Sequence, residues 1–133
     1  MEDFSDNNQC FVCGTGNPQG LKLSFDYDKE QDRVEAEVLF PTFLQGWDGV
    51  VHGGLISTVL DEIMIKAAAA KKLKCVTGEI TVKFKKPTLT NKKYIIQGKV
   101  AEIKSRLIFT EGFLIDRQGK ILASAKGKLF TVD

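Results

Sequence analysis

The stretch GVVHGGLISTVLDEIMIKAAAAKK, residues 49–72, constrains this chain more than any other. At about 100° per residue, Leu55, Ile56, Val59, Leu60, Ile63, Met64, Ala67 and Ala70 fall on one broad face, which predicts a long helix from about 54 to 72. Period-two segments flank it. LKLSFDY (21–27) and RVEAEVLF (33–40) precede the helix, and residues 75–85, 94–104, 107–116 and 121–132 follow as further strands. DKEQD and DRQGK read as hairpin turns, and PTFLQGWDG (41–49) as the loop that delivers the chain to the helix. One long helix among six strands must bury its apolar stripe against their sheet. The expected class is α+β, with an antiparallel sheet wrapped around one central helix.

The 133 residues fit one domain, 1–133, opened by a turn-rich segment over 1–20. The 19 basic and 17 acidic residues nearly cancel, and no basic block is interleaved with aromatics, so nucleic acid is not an expected partner. No apolar run approaches the ~20 residues of a membrane span, and MEDFSDNNQC is acidic and polar rather than signal-like. Three cysteines, Cys10, Cys13 and Cys75, leave an odd thiol, which fits a reducing cytoplasm. CFVC (10–13) would need two more ligands for a tetrahedral metal, from Cys75 and His52. With turn-forming GTGNPQG behind it, the pair reads as packing thiols, and neither a metal nor a cofactor is expected.

Two acids interrupt the helix. Glu62 sits at the edge of the stripe with Lys66 one turn on, an ordinary surface pair. Asp61 lies roughly 160° from the stripe's centre among Ser57, Thr58, Ile65 and Ala68, on a second face too small and uncharged to read as a solvated one. Upstream, His52-Gly53-Gly54 opens the helix. Two glycines allow close approach to a ligand, and their N–H groups at the positive end of the helix dipole suit a carbonyl oxygen gaining charge. The chain offers no GxSxG elbow and no cysteine in a nucleophile motif, so a carboxylate is the best available base or nucleophile. Asp61 stands eight residues beyond Gly53, about 12 Å along the helix, too far for both to grip one carbonyl. The two would have to come from different copies of the chain.

VHGGLISTVLDEIM, with an acid nine residues after the histidine, and CFVCGTGNPQGLKLSF together make the sequence resemble the hotdog-fold acyl-CoA thioesterases of the PaaI-like group over nearly its whole length. The resemblance implies two subunits joined sheet edge to sheet edge, dimers that often pair into tetramers, and active sites at the subunit interface. By position, Asp61 matches the acid that activates water or attacks the thioester, and Gly53 the amide that polarises the carbonyl from the partner subunit. Gly54 supports that turn, His52 shapes the oxyanion side, and Thr77 matches the hydroxyl that positions water or acid. Some relatives carry an Asn six residues before the histidine. Gly46 stands there in this chain, with Gln45 or Asn17 as alternative sources of the amide.

The expected activity is hydrolysis of an acyl-CoA or related pantetheine thioester, CoA being part of the substrate and not a cofactor. Lys83, Lys85 and Lys86 are candidates for its phosphates, and Phe43, Trp47, Phe109 and Phe113 for an acyl or aryl pocket. The runner-up is a non-catalytic acyl-CoA sensor, although the 133 residues leave no room for a DNA-binding segment. A hotdog dehydratase or hydratase fits less well, since its histidine and acid are spaced differently.

Overall fold

The computed structural model describes residues 4–132. Its elements are β1 (Asp26–Asp28), β2 (Arg33–Leu39), a 3-10 turn at Thr42–Leu44, α1 (Gly53–Ala70), β3 (Cys75–Phe84), β4 (Lys93–Lys104), β5 (Leu107–Ile115) and β6 (Ile121–Thr131). The strands make one antiparallel sheet in the order β1-β2-β4-β5-β6-β3. The element order and the α+β class are those the sequence predicts.

The first strand is shorter than its alternation suggests. Lys22 is forced to φ 54°, and the backbone N–H groups of Leu21 and Leu23 donate to Phe11 and Val12 rather than to a sheet neighbour. Leu21, Leu23 and Phe25 still pack against the core, so the period-two pattern reports burial correctly but not ladder formation.

Helix α1 buries Ile56, Val59, Leu60, Ile63, Met64 and Ala67 against the sheet, as the stripe predicts. At about 1.5–3 kcal/mol for each fully buried aliphatic side chain, this stripe outweighs any intrinsic helix preference. Ala68 corrects the expected second face: it is fully buried with Ile108 and Leu129. The sheet curls far enough to cover part of the face that carries Asp61. Beyond Ala70 the helix stops in a Schellman motif, with Leu73 N–H donating to Ala68 O, Lys72 N–H to Ala69 O, and Lys72 at φ 62°.

The helix lies so close to the sheet because glycines stand beneath it. Gly98 on β4 pairs with Gly112 on β5, and a Cβ built on Gly98 would lie 2.6 Å from the backbone oxygen of Ile63. A backbone oxygen cannot rotate away, so the helix itself must lift. Gly98→Ala should lower stability by about 1–3 kcal/mol. Thermal unfolding followed by circular dichroism checks it, and a Tm within roughly a degree of wild type would show that the helix does not depend on this contact.

Candidate active site

The HGG turn builds the N-terminus of α1. His52 is the N-cap in an extended conformation (φ −60°, ψ 130°), and its Nδ1 accepts the Gly54 N–H at 2.9 Å. An Nδ1 that accepts places the ring proton on Nε2. This corrects the expectation of two bare amides: the Gly54 donor is taken. Leu55 and Ile56 donate to the carbonyl of His52, so among the described residues Gly53 N–H is the donor of this turn left without a partner. A recess of about 410 Å³ lined by Gly46, Trp47, Val51, His52 and Gly53 opens on one side. A second, of about 280 Å³, adds Phe84, Lys85 and Lys86 on the other.

Two turns further along, Asp61 is half-buried against β3, where Thr77 Oγ1 donates to its Oδ1 at 2.6 Å. A bulge makes that contact. The β3–β6 register shifts between Thr77 and Glu79, so one extra residue turns Thr77 to the same side of the strand as the inward-packed Ile80 and Val82. Gly78 occupies the bulge where the Phe130 ring crosses it, and a Cβ there would run into that ring. Thr77 thus fixes one carboxylate oxygen. Nothing among the described residues bonds the other, Oδ2, which leaves it able to take a proton.

The remaining candidates fall apart from this pair. The side-chain oxygen of Gln45 accepts Gly49 N–H at 3.0 Å and closes the loop before the helix. Asn17 folds the amino-terminal turn, donating to Gln9 O and accepting from Gln19 N–H. Lys85 and Lys86 share the second recess with Gly53, whereas Lys83 lines a separate depression with Thr81 and Ser124. Trp47, 85% exposed, stands beside the HGG turn, whereas Phe43, 76% exposed, lines a separate depression with Pro18, Gly20 and Leu21. Phe109 lines a groove with Glu111 and Lys126, and Phe113 shares its side of β5. The buried Ile108 and Leu114 occupy the opposite, inward side.

Glu62 is a second correction. It and Lys66 are both half-buried and form no ion pair with each other. Glu62 Oε2 instead accepts from Cys10 Sγ at 3.6 Å, and Lys66 Nζ lies 5.4 Å over the Phe25 ring. The amino-terminal segment covers this side of the helix, which periodicity along the helix alone does not reveal.

Residues 48–123 match the family described as the Thioesterase superfamily. An acyl-coenzyme A thioesterase, THEM4, of Xenopus laevis is 27% identical over 111 residues, covering 84% of this chain and 50% of that protein. The chain spans about half the length or less of the curated relatives it matches. Among solved structures, the thioesterase superfamily protein RHA08564 superposes with a TM-score of 0.87 at 24% identity, over 94% of this chain and 61% of that one. The PaaI protein of Escherichia coli, from the phenylacetic acid degradation operon, superposes with a TM-score of 0.76 at 16% identity, over 85% and 81%. The fold is therefore the hotdog fold that the sequence motifs imply. Among the described residues no helix is long and apolar enough to cross a membrane.

Proposed function

Because the chain belongs to the Thioesterase superfamily, we propose that it hydrolyses an acyl-coenzyme A or related pantetheine thioester to free acid and thiol, at sites shared between two copies of the chain. The observation that carries this reading is the half-buried Asp61 carboxylate, anchored through Oδ1 by Thr77 and free at Oδ2. Oδ2 either takes a proton from water as the water attacks the thioester carbon, or attacks that carbon itself to give an anhydride that water then opens. The oxygen of that carbonyl gathers charge at Gly53 N–H, where the helix dipole also favours it, and the thiolate leaves without needing a strong acid. Lys85 and Lys86 line a recess with Gly53, which supports them as the residues that meet the nucleotide phosphates. The acetyl-CoA-bound Streptococcus mutans protein with this fold supports a coenzyme A ligand.

Sharing follows from distance. Gly53 and Asp61 lie about 12 Å apart along one helix, whereas one carbonyl group needs both within contact. Strand β3 offers the means: ten residues long, it ends the sheet and, among the described residues, pairs only with β6. A free edge of that length invites another strand. Its Thr77 end lies beside Asp61 and its Phe84 end beside Gly53, a Cβ on which would sit 3.5 Å from the Phe84 ring. Antiparallel pairing of two β3 strands about a twofold axis between Ile80 and Thr81 sets Thr77 of one copy opposite Phe84 of the other. Asp61 of one chain then meets Gly53 of the second. The three free cysteines suit a reducing compartment such as the cytoplasm.

Release of free thiol from a panel of short, long and aryl acyl-CoAs tests the reading, with Thr77→Val and Thr77→Ser beside the wild type. Hydrolysis should fall roughly 10–100-fold in kcat for Thr77→Val and stay near wild type for Thr77→Ser, because only the hydroxyl holds the carboxylate. Tight binding with no thiol released from any member would instead identify a sensor.

A further inference from the structure

Outside the thioester site, one cluster of ligating atoms stands out. Cys10 Sγ, Cys13 Sγ and a Glu62 carboxylate oxygen lie within 4.8 Å of one another, all half-buried. The chain is built to bring them together. Val12, between the cysteines, is 2% exposed and pins the turn into the core, while Phe11 points outward. Gly14 N–H donates to Cys10 O at 2.7 Å, and a Cβ on Gly14 would lie 2.5 Å from Cys10 N, so the tight turn behind the second cysteine requires glycine. Both thiols then face α1 at Glu62, the residue after Asp61.

We propose that Cys10, Cys13 and Glu62 form a binding site for one thiophilic divalent cation of the zinc type, with a fourth position open to solvent, clamping the amino-terminal segment onto α1. The spacing matches the chemistry. With Zn–S of about 2.3 Å and Zn–O of about 2.0 Å at the tetrahedral angle, sulfur and oxygen stand about 3.5 Å apart. The observed Cys10 Sγ to Glu62 Oε2 distance is 3.6 Å. Cys-x-x-Cys followed by glycine is also a spacing that lets two thiolates share one ion.

Electrostatics agree. Three groups that would each be anionic are held together, and the nearby Lys66 offsets them only in part. A divalent cation takes the place of the thiol protons: two thiolates and a carboxylate around it leave one negative charge, which Lys66 balances. The other cysteine and the histidine take no part. Cys75 packs with Ala68, Ile108 and Leu129, and His52 is ten residues, about 15 Å, back along the helix.

The test is titration of the reduced, chelator-stripped chain with Co²⁺, followed by absorption, and with Zn²⁺, followed by metal content and thermal unfolding. One Co²⁺ per chain should bind with thiolate-to-cobalt charge-transfer absorption and tetrahedral d–d bands. Zn²⁺ should displace it and raise Tm. Cys10→Ser and Cys13→Ser should each lose about half of the charge-transfer intensity. Glu62→Gln should keep that intensity but weaken affinity at least about tenfold, and Cys75→Ser should leave both unchanged. Absence of stoichiometric charge transfer in the wild type overturns the site and needs no variant to fold. So does a spectrum lost with Cys75→Ser, or an affinity indifferent to Glu62→Gln.

Discussion

Asp61→Asn should reduce thioester hydrolysis by about 10²–10⁴ in kcat while leaving KM and Tm near their wild-type values. The substitution is nearly isosteric. Its amide oxygen still accepts the Thr77 hydroxyl that now lies 2.6 Å from Oδ1, so the packing between α1 and β3 is kept. What disappears is the basic oxygen at Oδ2. Asp61→Ala should show the same loss in kcat. Single-turnover hydrolysis in isotopically labelled water then bears on the two roles open to the carboxylate. Label in Asp61 itself reports an anhydride opened at the aspartyl carbon, whereas label in the released acid alone is given both by a general base and by an anhydride opened at its acyl carbon. Wild-type turnover by Asp61→Asn would remove the carboxylate from the mechanism.

Gly53→Pro should cost about 10²–10³ in kcat with the helix intact, because it deletes one N–H and little else. Gly53 is the first residue of α1, the helical position that best tolerates proline. His52 before it already has the extended conformation that a following proline requires, with φ −60° and ψ 130°. The N–H removed is the one the fold leaves unbonded, so no intrachain hydrogen bond is lost. Paired with Asp61→Asn, this variant also tests the shared site. Each alone is inactive, but unfolding and refolding an equal mixture should give about half heterodimers, each with one intact site of two, and restore about a quarter of wild-type activity. No recovery from a mixture shown to contain heterodimers would mean that Asp61 and Gly53 do not meet across subunits.

Much of this was open to reading along the chain. The 3.6-residue stripe from Leu55 to Ala67 and the alternation of the later strands indicate the helix, the succession of elements along the chain and the core, because each pattern records which side of a local element meets water. The HGG turn and the acid nine residues after its histidine also lie within one helix, where spacing converts directly into angle and rise. The sequence alone therefore determined the α+β class, the placement of Asp61 off the main apolar stripe, and its separation from Gly53.

Other features were settled only when distant segments packed together. Thr77 faces Asp61 because the bulge at Gly78 shifts the strand by one residue, and strict alternation cannot register such a shift. Gly54 lost its free amide to the ring of His52, a choice of rotamer rather than of sequence. Glu62, which has Lys66 at surface-pair spacing, turned to Cys10, fifty-two positions away, because the amino-terminal segment folds across that side of the helix. A periodic pattern fixes how residues are arranged around their own element's axis. Which neighbour covers each face, and so which polar group finds which partner, is decided by long-range packing, where contacts depend on the joint placement of elements and not on spacing within any one of them.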